Sequence, residues 1–156
     1  MQTDVKRIIG IDPGQTTGYV DALFDLNSGT WQVVDAREIA WDERFILKPL
    51  LAGALCTAYV QPLLPDFVVT EQFTLYAFKA KDQIGSTFPS VRVIGTLEAY
   101  MQEFGILRRL CFQPASVRSR VLTLEEHRRW LVGSVHKHDA YQHLRYFIVT
   151  HDLQKA

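Results

Sequence analysis

The sequence has few cysteines, no long apolar run and no net charge, and each of these absences excludes a class of protein. Its two cysteines, Cys56 and Cys111, form no C-x-x-C, so neither a disulfide framework nor a structural zinc site is expected, and both thiols should be reduced and buried. No apolar stretch reaches the roughly 18–20 residues that a membrane span needs. Residues 1–4 lack a signal-peptide pattern. We therefore expect a cytoplasmic protein without a membrane partner.

The balanced total charge conceals an uneven distribution. Residues 1–78 carry 5 basic and 10 acidic side chains, whereas residues 79–156 carry 12 basic and 7 acidic ones. Most of the basic residues in the second half are arginines, whose planar guanidinium suits phosphate. The asymmetry indicates a polyanionic partner, although solvated helix faces would also explain arginines scattered singly.

The order of apolar patterns predicts a single α/β domain over residues 1–156, whose length is ordinary for one domain. Three strands come first, joined by short connections, so they should form an antiparallel meander. Helices and strands alternate after them, which is typical of parallel strands. The predicted strands are 5–12, 18–26, 30–38, 66–71 and 106–112; the predicted helical segments are 41–64, 90–104, 114–122, a turn or two from 123, and 136–150; a long aromatic and basic loop covers 72–88.

Acidic residues follow two of the predicted strands. Asp12 ends the first strand just before the turn Pro13-Gly14, and Glu71 ends the fourth. Because these strands should be adjacent and parallel, the two carboxylates should meet at one sheet edge. On the last helix, His136 and Asp139 are three residues apart and share a face. Together these groups would suit two Mg²⁺ or Mn²⁺ ions.

Each of these residues also has a simpler explanation. Asp12 could cap its turn, Glu71 could be a strand-end charge in solvent, and Asp139 could interact with the helix dipole. His136 alone is more often a surface or capping residue. The combination of two strand-end carboxylates with an i, i+3 pair favours a metal site over four separate explanations.

Three motifs, in order, resemble those of the RuvC Holliday-junction resolvases. They are Asp12-Pro13-Gly14 with Thr17-Gly18-Tyr19, then Thr70-Glu71-Gln72-Phe73, then His136-x-x-Asp139-Ala140. The resemblance runs from about residue 7 to 150. A compact and divergent sequence of this kind looks like the family members found in bacteriophages. The resemblance implies an RNase H-like fold, a homodimer, and metal-dependent symmetric nicking of four-way DNA junctions.

The resemblance also implies roles for particular residues. Asp12, Glu71, His136 and Asp139 match the catalytic metal ligands. Phe73 matches an aromatic residue at the junction crossover, where it can stack on a base. Val91–Phe104 matches the helix at the family's dimer interface. The remaining candidates for DNA contact are the loop residues Tyr76, Lys79 and Lys81 and the arginines Arg118 and Arg120.

The sequence departs from the family in its neutral charge and in the segment 123–135, which has no clear counterpart. Neutrality lowers the affinity expected from phosphate contacts. Two other classes of function stay open. One is a nuclease of broader range, acting on forks and flaps. The other is a module without catalysis that binds DNA or, like a fragment of the actin and sugar-kinase superfamily, a nucleotide.

Overall fold

The structure, a computed structural model, describes residues 4–40, 64–74, 88–119, 122–131 and 134–151. These ranges contain five β-strands, three α-helices and two 3-10 turns. The strands are β1 (Val5–Asp12), β2 (Thr16–Asp25), β3 (Thr30–Ala40), β4 (Phe67–Glu71) and β5 (Leu110–Gln113); the helices are α1 (Pro89–Glu103), α2 (Leu124–Leu131) and α3 (Val135–Thr150); the 3-10 turns are Leu107–Arg109 and Ala115–Ser119. None of the helices in these ranges is long and apolar enough to cross a bilayer.

The five strands form one sheet in the order β3-β2-β1-β4-β5. β1, β2 and β3 pair antiparallel, as the short connections predict. β4 lies parallel to β1, and β5 lies parallel to β4. The prediction of a mixed α/β sheet with the first and fourth strands adjacent at its centre is therefore confirmed.

Both faces of the sheet are covered, so its central strands are buried on both sides. Ile9 and Ile11 point to the face that packs on α1, where they meet Leu97 and Met101. Ile8 and its neighbours on the other face pack on α3. Because side chains alternate along a strand, Gly10 and Asp12 lie on the α3 face with Ile8. This alternation places the Asp12 side chain on the face of the sheet that α3 covers.

An ion pair is buried on the α1 face of the sheet. Arg7 on β1 donates to both carboxylate oxygens of Asp21 on β2, and the Tyr19 hydroxyl also donates to Asp21. Burial alone would lower the pKa of Arg7, but its hydrogen bonds and charge interaction with Asp21 raise it above the usual value. Arg7 thus stays charged, and its bonds to Asp21 join the first two strands.

Helix α3 lies directly on β1 and β2 because two glycines leave room for its backbone. A Cβ atom at Gly10 would lie 2.4 Å from the carbonyl oxygen of Ala140, and one at Gly18 would lie 1.9 Å from that of His136. Neither distance is compatible with a side chain. The first turns of α3 therefore approach the sheet as closely as backbones permit.

Helix α2 belongs to the segment 123–135, and its first turn is held on α3. Thr123 and Glu126 form a capping box, in which each backbone N–H donates to the other residue's side chain at 2.8 and 3.2 Å. The Tyr141 hydroxyl and the Arg145 guanidinium of α3 both donate to Glu126 Oε1. Burial would raise the pKa of Glu126, but these partners lower it. The helical turns predicted from residue 123 are confirmed.

Several predicted boundaries differ from the structure. The fifth strand begins at Leu110 rather than at residue 106, because the chain first makes a 3-10 turn in which Arg109 donates to the carbonyl oxygen of Pro65 at 2.7 Å. Ala115–Ser119 is a 3-10 helix within the helical segment predicted over 114–122, of which residues 120 and 121 lie outside the described residues. Cys111 is half-buried, and burial raises the pKa of its thiol. The predicted helix 41–64, all but its last residue, most of the loop 72–88, and Cys56 lie outside the described residues.

We predict that Gly18→Ala will lower the free energy of unfolding by about 1–3 kcal/mol or more, the usual cost of overpacking. The added methyl group would collide with the backbone of His136 and push α3 off the sheet. Gly95→Ala is the matched control, since a Cβ there meets no atom within 4 Å. It should be neutral or should stabilise α1 by up to about 1 kcal/mol. Urea unfolding of both variants tests this, and equal stabilities would contradict the close packing.

Candidate functional site

Two strand-end carboxylates meet at one edge of the sheet. Ile11 on β1 is the partner of Thr70 on β4, so Asp12 and Glu71 each follow one residue later at the carboxyl ends of adjacent parallel strands. Val69 belongs to the core on the α3 face, and Glu71, two residues on, projects to the same face as Asp12. Both carboxylates thus face the helix that carries His136 and Asp139.

Asp12 contacts the beginning of α3. Its Oδ2 atom lies 3.0 Å from His136 Nδ1, and the residue is 5% exposed. The His136 side chain is 42% exposed. Where Nδ1–H donates to Asp12, the other ring nitrogen, Nε2, keeps its lone pair for an ion or a proton. The N-terminal end of α3 adds a partial positive charge that favours a carboxylate here.

The beginning of α3 is itself fixed to the sheet. The Ser134 side chain caps the helix by accepting from the backbone N–H of Lys137 at 3.1 Å. The same hydroxyl donates to the Glu38 carboxylate on β3. These bonds fix the helix start from which His136 and Asp139 extend.

Glu71 contacts a histidine farther along α3. Its Oε2 atom lies 3.5 Å from Nε2 of His143, a side chain with no exposed surface. The other ring nitrogen of His143, Nδ1, lies 2.9 Å from Oε1 of Gln113 at the end of β5. Glu71 therefore faces a buried polar group beneath the sheet edge and is not a charge in open solvent.

Asp139 lies one turn after His136 and is also largely buried. Its Oδ1 atom accepts from Gln142 Nε2 at 3.2 Å and lies 3.6 Å from His138 Nδ1. His138 and Gln142 are themselves buried. A carboxylate in this setting costs more than one at an exposed helix start, which argues against a role confined to the helix dipole.

The chemistry of this donor set suits a hard cation, because carboxylate oxygens are the ligands that Mg²⁺ and Mn²⁺ prefer. In the present side-chain arrangement, Asp12, Glu71 and Asp139 are turned toward His136, His143 and Gln142. Within the described ranges, no three His, Cys, Asp or Glu side chains are gathered closely enough to hold an ion. The residues fit a metal by type and by backbone placement, and an ion would compete with these nitrogen contacts for the carboxylates.

The structure places some of the predicted DNA-contact residues near this edge. Phe73 comes two residues after Glu71 and is 36% exposed. Its ring lies against Phe88 at 5.3 Å and lines a pocket of about 270 Å³ with Gln72, Val91, Ile94 and Phe112. Arg118 is in the 3-10 turn that follows β5. Tyr76, Lys79, Lys81 and Arg120 lie outside the described residues.

Sequence reasoning missed Gln113, Gln142 and His143. A signal for His143 was present, since it follows His136 by seven residues and Asp139 by four and therefore lies on the same stripe of α3. Gln113 ends the fifth strand as Asp12 and Glu71 end theirs. A polar strand-end residue next to a predicted carboxylate edge was the signal for it.

No family model matches the sequence, and no curated protein matches it. Similarity appears in solved structures. One is T. thermophilus RuvC in complex with a Holliday junction substrate, with 12% identity, a TM-score of 0.57, and coverage of 94% of this chain and 97% of that chain. Another is the fowlpox virus Holliday junction resolvase, with 14% identity, a TM-score of 0.53, and coverage of 96% and 98%.

These alignments span nearly the full length of both partners, so the likeness concerns the whole fold and not one motif. At 12% and 14% identity it is a likeness of fold. The mixed sheet, its strand order and its flanking helices agree with the prediction from the sequence motifs. This chain has the RNase H-like fold of the RuvC-type junction resolvases.

Proposed function

We propose that this chain is a metal-dependent endonuclease that resolves four-way DNA junctions by paired, symmetric phosphodiester hydrolysis. The observation that carries the proposal is the placement of Asp12, Glu71 and Asp139, from three different elements, at one edge of a sheet with the RuvC-type fold. An ATPase of the actin type would give His136 and Asp139 no role. A binding module without catalysis would leave the cost of burying most of each of these three carboxylates unexplained.

Asp12, Glu71, His136 and Asp139 are the residues that would hold two Mg²⁺ or Mn²⁺ ions. Such a pair lowers the pKa of the attacking water and stabilises the attacking and leaving oxygens. The chain's own contribution is placement. The capped start of α3 fixes the turn that carries His136 and Asp139, and the close packing at Gly18 holds His136 next to Asp12. The parallel pairing of β1 with β4 sets Glu71 on the strand beside Asp12.

We propose that the DNA contacts are made by the residues that the sequence indicated for this role. Phe73 is exposed beside the carboxylates and would stack on a base at the crossover. Arg118 and Arg120 would contact phosphates near the cleaved bond. Tyr76, Lys79 and Lys81 would extend that contact along a DNA arm. DNA in the cytoplasm, which is host cytoplasm if the chain comes from a phage, is the substrate we propose.

Symmetric nicking needs two active sites related by a two-fold axis, so we propose a homodimer. Helix α1 is our candidate for the interface. It buries Leu97 and Met101 against the sheet while Val91 is 44% exposed and Phe104, just after its last turn, is 37% exposed. Exposed apolar side chains at both ends of a helix are suited to a partner surface.

We predict that the wild-type protein will nick a synthetic four-way junction at paired symmetric positions with Mg²⁺ or Mn²⁺, and will not cut a matched linear duplex. Asp139→Asn should lower the cleavage rate at least 100-fold, because it removes a charged metal ligand and keeps an oxygen that accepts from Gln142. Glu125→Gln, at an exposed position of α2, is the matched control and should cleave normally.

Three other results would change the conclusion. Equal nicking of junctions, forks and flaps would keep the metal site and broaden the substrate. A control variant as inactive as Asp139→Asn would show that the loss has another origin. No cleavage by folded wild-type protein with either ion would contradict the nuclease assignment and favour a binding module.

We predict that Phe73→Ala will lower junction cleavage about tenfold at subsaturating protein and leave Mn²⁺ affinity unchanged. Base stacking on one aromatic ring contributes about 1–3 kcal/mol, and the Phe73 ring lies against Phe88 and lines a mostly apolar pocket, which is no part of the proposed metal site. Val34→Ala, at an exposed apolar position of β3, is the control. An equal loss on linear flap substrates would contradict a role at the crossover.

A further inference from the structure

His143 is a buried polar side chain that the proposed chemistry does not yet use. It lies on α3 with no exposed surface, between the ends of β4 and β5. Burying an imidazole is costly unless both ring nitrogens have polar neighbours. Here Nδ1 is 2.9 Å from Gln113 Oε1 and Nε2 is 3.5 Å from Glu71 Oε2. Each ring nitrogen therefore lies next to a polar atom of another element.

The arrangement links three elements at the sheet edge. Glu71 and Gln113 are register partners on the parallel strands β4 and β5, so their side chains project to the same face. His143 lies beneath both, four residues after Asp139 and on the same stripe of the helix. The His143 ring therefore links the position of the Glu71 carboxylate to the face of α3 that carries His136 and Asp139.

We propose that His143 is a positioning residue for Glu71, held in turn by Gln113. This inference rests on the proposed function, since it concerns the same metal site. A glutamate at the end of a strand has several rotatable bonds, and the buried ring that contacts Oε2 restricts them while leaving the other oxygen for an ion. Removing a side chain that orients a ligating carboxylate typically changes metal affinity or activity 10–100-fold.

The test is Mn²⁺ affinity of the DNA-free protein, measured by calorimetry on the full chain. His143→Leu should weaken Mn²⁺ binding about 10–100-fold. His143→Gln should recover most of that loss, because its amide nitrogen reaches about where Nε2 lies and can donate to Glu71. Gln113→Leu should weaken binding in the same direction but less, and it keeps the proposal testable if His143→Leu does not fold.

Phe147→Leu is the matched control. Phe147 is buried on α3 one turn beyond His143, so this substitution lowers stability without changing a neighbour of Glu71 in the site described above. It should bind Mn²⁺ like the wild type. If His143→Leu and Gln113→Leu both bind Mn²⁺ within twofold of the wild type, or if Phe147→Leu loses as much affinity, the proposal is wrong.

The positioning role and the nuclease assignment fail in different ways. A wild-type protein that binds Mn²⁺ and cuts no DNA would contradict the nuclease and leave the His143 comparison valid. An active nuclease whose Mn²⁺ affinity is unchanged by His143→Leu would contradict the positioning role alone. A wild-type protein without measurable Mn²⁺ affinity would overturn the positioning role directly.

Discussion

The close contact between the first turns of α3 and the strands β1 and β2 is the constraint on which the candidate site depends. At Gly10 and Gly18, the backbone of α3 occupies the space that a Cβ atom would need. Without that approach, His136 could not lie 3.0 Å from Asp12. The two glycines therefore bring helix-borne side chains to a strand-end carboxylate, although neither has a side chain of its own.

The electrostatics of the edge follow from this packing. Asp12, Glu71 and Asp139 would repel one another if they were left in a buried setting without compensation. In the structure each has a nitrogen-bearing neighbour from α3 within 3.5 Å: His136, His143 and Gln142. An ion bound at this edge would have to compete with these neighbours for the carboxylate oxygens.

The sequence predicted the sheet well because short connections and parallel strand ends follow from chain geometry alone. The same geometry placed Asp12 and Glu71 together, and helical spacing placed His136 with Asp139. His143 and Gln113 escaped prediction because their importance comes from tertiary contacts, with an imidazole on one element facing an amide and a carboxylate on two others. The predicted start of the fifth strand, at residue 106, was wrong. The contact of Arg109 with the Pro65 carbonyl outweighs the β-propensity of the apolar residues that precede Leu110.

The central claim is that this sheet edge is a metal centre, and the most direct measurement is a crystal structure of the protein soaked with Mn²⁺, read by anomalous scattering. We expect two anomalous peaks within bonding distance of the carboxylates of Asp12, Glu71 and Asp139, with Asp12 and Asp139 turned away from their neighbours on α3. Crystals that bind Mn²⁺ elsewhere, or not at all, while all three carboxylates keep their nitrogen contacts would contradict the account.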